Sequence, residues 1–194
     1  MLDDPSIAPL VSVVMGVRNE ERLVERAVKS ILEQTYSPLE IIVVDDGSED
    51  GTRERLASLS DPRVRLIRQP RRGLAAALNN GLSNATGKFI ARMDADDVSY
   101  PQRIEQQMAA LRAQPRIGYL GSGIRMVTPR GRPIRNVMPP SCPQIIKKAM
   151  LKGYNHLYHP TLLFRRPVLE AAGGYREMFR SEERRVGKEC RSRW

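Results

Sequence analysis

Residues 10–16, LVSVVMG, form an apolar, β-branched run bounded by Pro9 and Gly16. A continuous run of this length between breakers predicts a strand covered on both faces. From Glu20 to Gln34 the period changes. Leu23, Ala27 and Ile31, with Val24 and Val28 beside them, recur at helical spacing and predict an amphipathic helix stopped ahead of Pro38. The same alternation then repeats. LEIIVVDD at 39–46 predicts a second buried strand, and 48–59 a short helix capped by Ser48. RVRLI at 63–67 predicts a third strand and 73–85 a helix ending near Gly87. KFIARMD at 88–94 predicts a fourth strand, and 100–114 a helix with Pro101 in its first turn.

Four strand–helix units in a row are the pattern of an α/β protein, with a Rossmann-like, mostly parallel sheet flanked by helices. Ligands of such sheets sit outside the carboxyl ends of the strands. Three polar clusters fall at three of those ends: GVRNE after the first strand, DDGSEDG after the second and DADD after the fourth. They are expected to line one crevice. Beyond residue 115 the pattern is weaker. Residues 117–127 read as strand, PRGRP at 129–133 as a turn and 143–153 as a helix. Residues 159–175 read as a strand and then a helix opened by Pro167 and closed by Gly173. There is no internal repeat.

Composition narrows the class. A length of 194 residues with 41% apolar and 28% charged positions fits one folded domain with a core. No apolar run approaches the ~20 residues of a membrane span. The first residues, MLDDPSIAP, do not read as a secretory signal, so a cytoplasmic location is expected. Cys142 and Cys190 suggest reduced thiols rather than a disulfide framework. The formal charge of +10 invites nucleic acid, an anionic membrane surface or a phosphorylated small molecule. The basic residues are dispersed apart from RQPRRG and RRVGKECRSR, and three Phe and one Trp offer little for bases to stack on, so no nucleic acid partner is expected.

The acidic turn is the sharpest chemical signal. Asp94, Asp96 and Asp97 repel one another at the mouth of a strand, and a cation would relieve that repulsion. Mg²⁺ and Mn²⁺ take carboxylate oxygens and commonly keep substrate phosphates as their remaining ligands. Such an ion would hold a pyrophosphate and take up its charge on departure. The bland alternative is a solvated turn in which Asp97 or Ser99 caps the next helix. At the second strand end, Asp46 is placed to accept hydrogen bonds from a base or ribose, or else to close an Asx turn. No glycine fingerprint follows the first strand, and GSG at 121–123 lacks a third glycine and a following helix, so no dinucleotide cofactor is expected. His156 and His159 lie three apart, but Pro160 follows and no acidic or Cys partner is near, which disfavours zinc.

Taken in order, PLVSVVMGVRNE, SILEQTY, EIIVVDDGSEDGT, RGLAAALNNGL, GKFIARMDADDVSYPQRIEQQ, NHLYHPTLLFRR and LEAAGGYRE resemble the family 2 glycosyltransferases with the GT-A fold. The likeness is to bacterial members that build exopolysaccharide and surface polysaccharide, and it runs from Pro9 to Glu177. It implies a nucleotide-diphospho-sugar donor, Mn²⁺ or Mg²⁺, inversion at the anomeric carbon, and a glycan or lipid-linked acceptor. Peripheral association with the inner face of the membrane is compatible with it. Carried over by residue, Gly16, Val17 and Asp46 would contact base and ribose, and Arg72 and Gly73 would lie near the donor. Asp94 would face ribose or sugar, and Asp96 would hold the metal. Arg18 stands where the family usually has Tyr, and Glu20 keeps its acidic residue. His159 would be an acceptor-side or phosphate contact.

The resemblance also implies a carboxylate base from an ED-x-x-LW-like motif soon after GGYRE. Glu182 and Glu183 fall within one residue of that place, but no apolar helix follows them. The change of character near Arg180 points to a donor-binding domain over 1–179 with an incomplete acceptor part, joined to a basic tail, 180–194, that is foreign or disordered. A divergent exposed tail is the alternative. A chain of the first kind would bind donor and metal yet turn over poorly. Two other readings remain: a sugar nucleotidyltransferase, which wants a glycine-rich loop that GVRNE does not supply, and a non-catalytic basic module that binds anionic lipid or nucleic acid.

Overall fold

The structure is a computed structural model, and it describes residues 8–128, 130–154 and 157–176. The four expected strands form: β1 (Val11–Val17), β2 (Leu39–Asp46), β3 (Val64–Gln69) and β4 (Phe89–Arg92). So do the helices between them, α1 (Val24–Leu32), α2 (Thr52–Ala57) and α3 (Leu74–Asn84), and α4 (Arg103–Ala113) follows β4. Next come β5 (Tyr119–Leu120), β6 (Ile124–Val127), β7 (Pro133–Val137) and α5 (Pro143–Leu151). A 3-10 turn over His159–Thr161, β8 (Leu163–Arg165) and α6 (Arg166–Ala171) are the last elements among the described residues.

The main sheet has the order β3-β2-β1-β4-β8-β5. β1 pairs parallel with β2 and β4, and β2 parallel with β3; β8 runs antiparallel to both β4 and β5. From β1 the chain moves outward through β2 and β3, then returns to the other side of β1 as β4. That reversal makes the carboxyl ends of β1 and β4 the switch point, where open α/β sheets hold their ligands. The registers Val17↔Asp45 and Val14↔Arg92 bring the ends of β1, β2 and β4 to one rim.

The pleat divides the core between two faces. Val11, Val13 and Met15 of β1, with Ile41 and Val43 of β2, pack with α1 and α4 residues such as Ile31, Ile104 and Met108. Val14, Ile42 and Val44 face α3 and Leu169 of α6. Glycines let α3 approach closely. A Cβ at Gly81 would come within 2.5 Å of Val14 Cγ1, and one at Gly16 within 2.9 Å of Leu74 Cδ1.

Several local expectations are corrected. The first helix starts at Val24 because the Glu20 carbonyl accepts from the Leu23 and Val24 amides and closes a turn there. Ser48 does not cap α2; Asp50 accepts from the Thr52 amide and hydroxyl at 3.1 and 2.5 Å. Neither Asp97 nor Ser99 caps α4, whose N-cap position is Gln102. The Ser99 amide instead donates to Ser30 Oγ on α1. Residues 117–127 are not one strand. Gly121–Gly123 separates β5 in the main sheet from β6, which forms a two-stranded sheet with β7 around the turn at Gly131 (φ +78°).

Candidate functional site

The two loops after β1 and β2 latch onto each other. Asn19 sits in the left-handed region (φ +54°), where its Oδ1 accepts from the Glu49 amide while its own amide donates to Ser48 Oγ. The Glu20 amide donates to Thr52 Oγ1 at 2.8 Å, the Glu21 amide to Asp50, and the Gly51 amide to Glu21. Asp45, fully buried, accepts from the Ser48 amide at 2.9 Å and from Arg53 Nε at 2.8 Å. Burial works to raise its carboxyl, but Ser48 and Arg53 together hold it below its ordinary value. Much of the acidity of DDGSEDG therefore serves to fix this rim.

Asp46, 4% exposed, does a similar job for the next loop. Its Oδ1 accepts from Gln69 Nε2 and the Arg72 amide, each at 2.7 Å, and its Oδ2 from the Gly73 amide at 2.8 Å. Gly73, at φ +97°, ends that loop at the start of α3. A carboxylate offers about four lone-pair sites, so at most about one remains for a ligand.

At the switch point, Asp94, Asp96 and Asp97 each bring a carboxylate oxygen within 4.8 Å of the others. That is near the ~4–5 Å span of one hard cation's oxygen shell, and all the donors are of the hard type such ions take. The residues fit Mg²⁺ or Mn²⁺. Two protein cations also back the turn. Arg92, 3% exposed, forms an ion pair with Asp94. Arg103 Nη1 donates to the carbonyls of Arg92 and Pro160, and its guanidinium lies in the field of Asp97. Burial pulls Arg103 down to about 10, so it stays charged at neutral pH. Part of the positive charge expected beside the acidic turn is thus supplied by the chain itself.

His159 opens the 3-10 turn beside this group, with the ring of Tyr175 edge-on at 5.2 Å. Burial and then Arg92 push its imidazole down to about 4, against the pull of Asp94, so His159 is neutral at pH 7. Burial raises Tyr175 to about 12. Tyr175 is held from α3: Asn79 Nδ2 donates to its carbonyl and its amide donates to Asn79 Oδ1, both at 2.8 Å.

A cavity of about 600 Å³ opens on the far side of Asp97, between α4, Gly121–Gly123 and the β6–β7 hairpin. Asp97, Tyr100, Arg103, Gln107, Ser122 and Thr161 are among its lining residues; Asp46, Asp94 and Asp96 are not. Gln107, 4% exposed, donates to the Thr161 carbonyl, and its buried Oε1 has no protein partner.

Of the residues singled out by sequence, Asp94 and Asp96 come together, joined by Asp97. Gly16 lies beneath α3, and the Val17 side chain belongs to the core, so any contact from Val17 to a ligand would use its main chain. Arg18 reaches Glu49 at 3.6 Å. Glu20 contributes its amide and carbonyl to the rim latch. Arg72 and Gly73 present their amides to Asp46. Glu182, Glu183 and His156 lie outside the described residues. Sequence reasoning missed Arg92, Arg103, Gln69, Asn79 and Tyr175. Only Arg92 left a signal, two residues from Asp94 and hence on the same face of an extended segment.

Known proteins are similar to this chain in sequence and in architecture. WbnJ of Escherichia coli, named an O-antigen biosynthesis glycosyltransferase, is 33% identical over 196 residues, covering 97% of this chain and 76% of WbnJ. EpsE of Bacillus subtilis strain 168, which carries the name of a glycosyltransferase, is 38% identical over 178 residues, 89% of this chain and 62% of its own. Among solved structures, the mannosyltransferase PcManGT of Pyrobaculum calidifontis, in complex with GDP-Man and Mn²⁺, superposes with a TM-score of 0.65 at 28% identity, over 90% of this chain and 50% of that one. TarS of S. aureus gives 0.71 at 21% identity over 90% of this chain and 52% of that one, a likeness of fold. The chain thus spans half to three quarters of these relatives' lengths, and its architecture is the GT-A fold. With residues 12–173 matching the family described as glycosyl transferase family 2, the chain belongs to that family.

Proposed function

We propose that this chain is the nucleotide-sugar-binding part of an inverting glycosyltransferase that moves a sugar from a nucleotide-diphospho-sugar to a glycan or lipid-linked acceptor. The observation that carries the reading is the meeting of Asp94, Asp96 and Asp97 at the switch point of a GT-A sheet. Asp96, with Asp94 and Asp97 beside it, would hold Mn²⁺ or Mg²⁺. When bound, the ion supplies positive charge to a departing diphosphate. The GDP-Man and Mn²⁺ named with PcManGT support the donor and the ion. WfgD of Escherichia coli, 37% identical over 103 residues, is named as acting on a diphosphoundecaprenol-linked sugar, which supports a lipid-linked acceptor and a peripheral position at the inner membrane face. Among the described residues no helix is long and apolar enough to cross a membrane.

This chain's own groups do the rest. Asp46 holds the Arg72 and Gly73 amides in the loop that would border the donor, and Gly16, Val17 and Arg18 would border the base from the adjacent strand end. Arg92 pairs with Asp94 and fixes its orientation. His159, neutral, offers one ring nitrogen as donor and one as acceptor toward the transferring sugar or the acceptor. We place the acceptor sugar at the cavity behind Asp97, where Gln107, Ser122 and Thr161 supply polar groups. Single-displacement inversion needs a carboxylate to take the acceptor's proton, a role we give to Glu182 or Glu183.

Calorimetry with UDP, GDP and their sugar conjugates, with Mn²⁺ or with chelator, tests the reading. Nucleotide binding that needs Mn²⁺ and falls at least tenfold in Asp96→Asn is expected. Binding indifferent to both would overturn the assignment. A separate transfer assay decides between the two accounts of the tail: strong transfer that is lost in Glu182→Gln or Glu183→Gln with donor binding intact supports the base, whereas weak transfer unchanged in both supports a foreign tail.

A further inference from the structure

We infer that the lobe built from the β6–β7 hairpin and α5 is a docking face for an anionic lipid bilayer. Between Glu105 and Glu170 the chain has no Asp or Glu, yet it carries eleven Arg and Lys, seven of them in the lobe from Arg125 to Lys152; the 22 acidic residues all lie outside this stretch. The net charge of the protein is therefore concentrated here rather than spread. The same stretch gathers exposed apolar side chains. Of the ten large apolar residues that the described part of the chain leaves exposed, Ile134, Met138, Ile145, Met150, Leu151 and Tyr154 fall within it, between positions 134 and 154.

Helix α5 is the centre of this face. None of its residues is buried, and only Ile146 and Ala149 are partly covered, which fixes the side turned to the body. Lys147, Lys148 and Leu151 project the other way, with Ile145 and Met150 on the flanks. Leu151 is 81% exposed and Tyr154, just beyond the helix, 66%. A short helix with lysines among exposed Leu, Ile, Met and Tyr suits the headgroup boundary: the apolar tips enter the acyl edge while the ammonium groups stay with the phosphates. Within the lobe itself, from Ile124 to Tyr154, no carboxylate offsets the cations, so the repulsion that its own acidic groups would meet at an anionic surface is missing. Nucleic acid would use the cations but gain nothing from Leu151, Met150 and Ile145.

The inference deepens the proposed function, resting on its lipid-linked acceptor, since a face of this kind would hold the transferase beside a membrane-borne substrate. Its test needs neither donor nor transfer. The full chain is sedimented with phosphatidylcholine vesicles, with and without phosphatidylglycerol, at low and high salt. Binding is expected only with phosphatidylglycerol and is expected to weaken with salt. Because each cation at an anionic surface contributes about fivefold in affinity, Lys147→Glu with Lys148→Glu should lower vesicle affinity at least twentyfold, and Leu151→Asp several-fold. The same reversal at Arg26 and Arg55, exposed on α1 and α2, should leave it unchanged. Unaltered urea midpoints would show that the variants fold.

Failure of the wild-type chain to bind phosphatidylglycerol vesicles overturns the inference. So does binding untouched by the α5 changes, binding lost equally on reversal of Arg26 and Arg55, or α5 changes that alter self-association or DNA binding instead. Persistence of Mn²⁺-dependent nucleotide binding in any of these cases leaves the proposed function standing.

Discussion

Replacing Asp46 separates its structural work from any contact with a nucleotide. In Asp46→Ala, Gln69 Nε2 and the amides of Arg72 and Gly73 lose their acceptor together. A hydrogen bond to a charged group contributes about 1.5–3 kcal/mol, and a buried donor left unsatisfied costs about 1–3 kcal/mol. The two amides are only part-buried, so water recovers some of this. The expected loss is about 3 kcal/mol for Ala. For Asn, which keeps one oxygen and turns an NH₂ group toward a backbone N–H, it is about 2 kcal/mol. At roughly 2–4 °C per kcal/mol for a protein of this size, the Ala variant should melt about 10 °C lower. Urea unfolding, read by circular dichroism without nucleotide or metal, gives the difference directly. An Asp46→Ala protein within about 0.5 kcal/mol of wild type, the range of an ordinary surface substitution, would refute the claim that Asp46 organises the loop at 70–73. Nucleotide affinity would then report contact alone.

Three further outcomes are expected. His159 takes up a proton near pH 4 when folded and near 6.5 when unfolded, so its stabilisation is full above about 6.5 and is lost as pH falls toward 4. Between pH 8 and pH 5 this amounts to about 2 kcal/mol, and urea midpoints across that range should flatten in His159→Gln; an unchanged slope would refute the neutral, half-buried imidazole. Gly81→Ala drives a methyl into Val14 and should cost about 1–2 kcal/mol net of the gain in helix propensity, read as a lower urea midpoint; a neutral result would contradict the close approach of α3 to β1. Asp96→Asn in the chain without metal should unfold within about 0.5 kcal/mol of wild type, since Asp96 lies outside the core; a larger loss would assign it a structural role.

The part of the fold most readable in sequence is the part buried on both sides. β1, β2 and β4 are covered by helices, so their apolar runs are continuous, and the expected boundaries fall within about two residues of those observed. β5 and β8 span two and three residues and carry no periodicity, and their antiparallel pairing depends on contacts between segments far apart in the chain. The site divides in the same way. Asp94, Asp96 and Asp46 could be placed because strand ends were predictable. That Asp46 spends its oxygens on Gln69, Arg72 and Gly73 was not, because those bonds cross from one strand end to the next loop. Arg103 and Tyr175 were hidden for a related reason: one acts through the carbonyls of Arg92 and Pro160, the other through a paired clasp to Asn79.

That clasp has a practical consequence for handling the protein. Consecutive left-handed glycines, Gly173 and Gly174, swing the chain back toward α3 so that Tyr175 reaches Asn79 and sets its ring edge-on to that of His159. Changes at Gly173 or Gly174 therefore act directly on the wall of the site, through Tyr175 and its neighbour His159. Pro9, tied to the hydroxyl of Tyr36, enters β1 at the opposite end of the strands. A purification handle or a surface anchor belongs there.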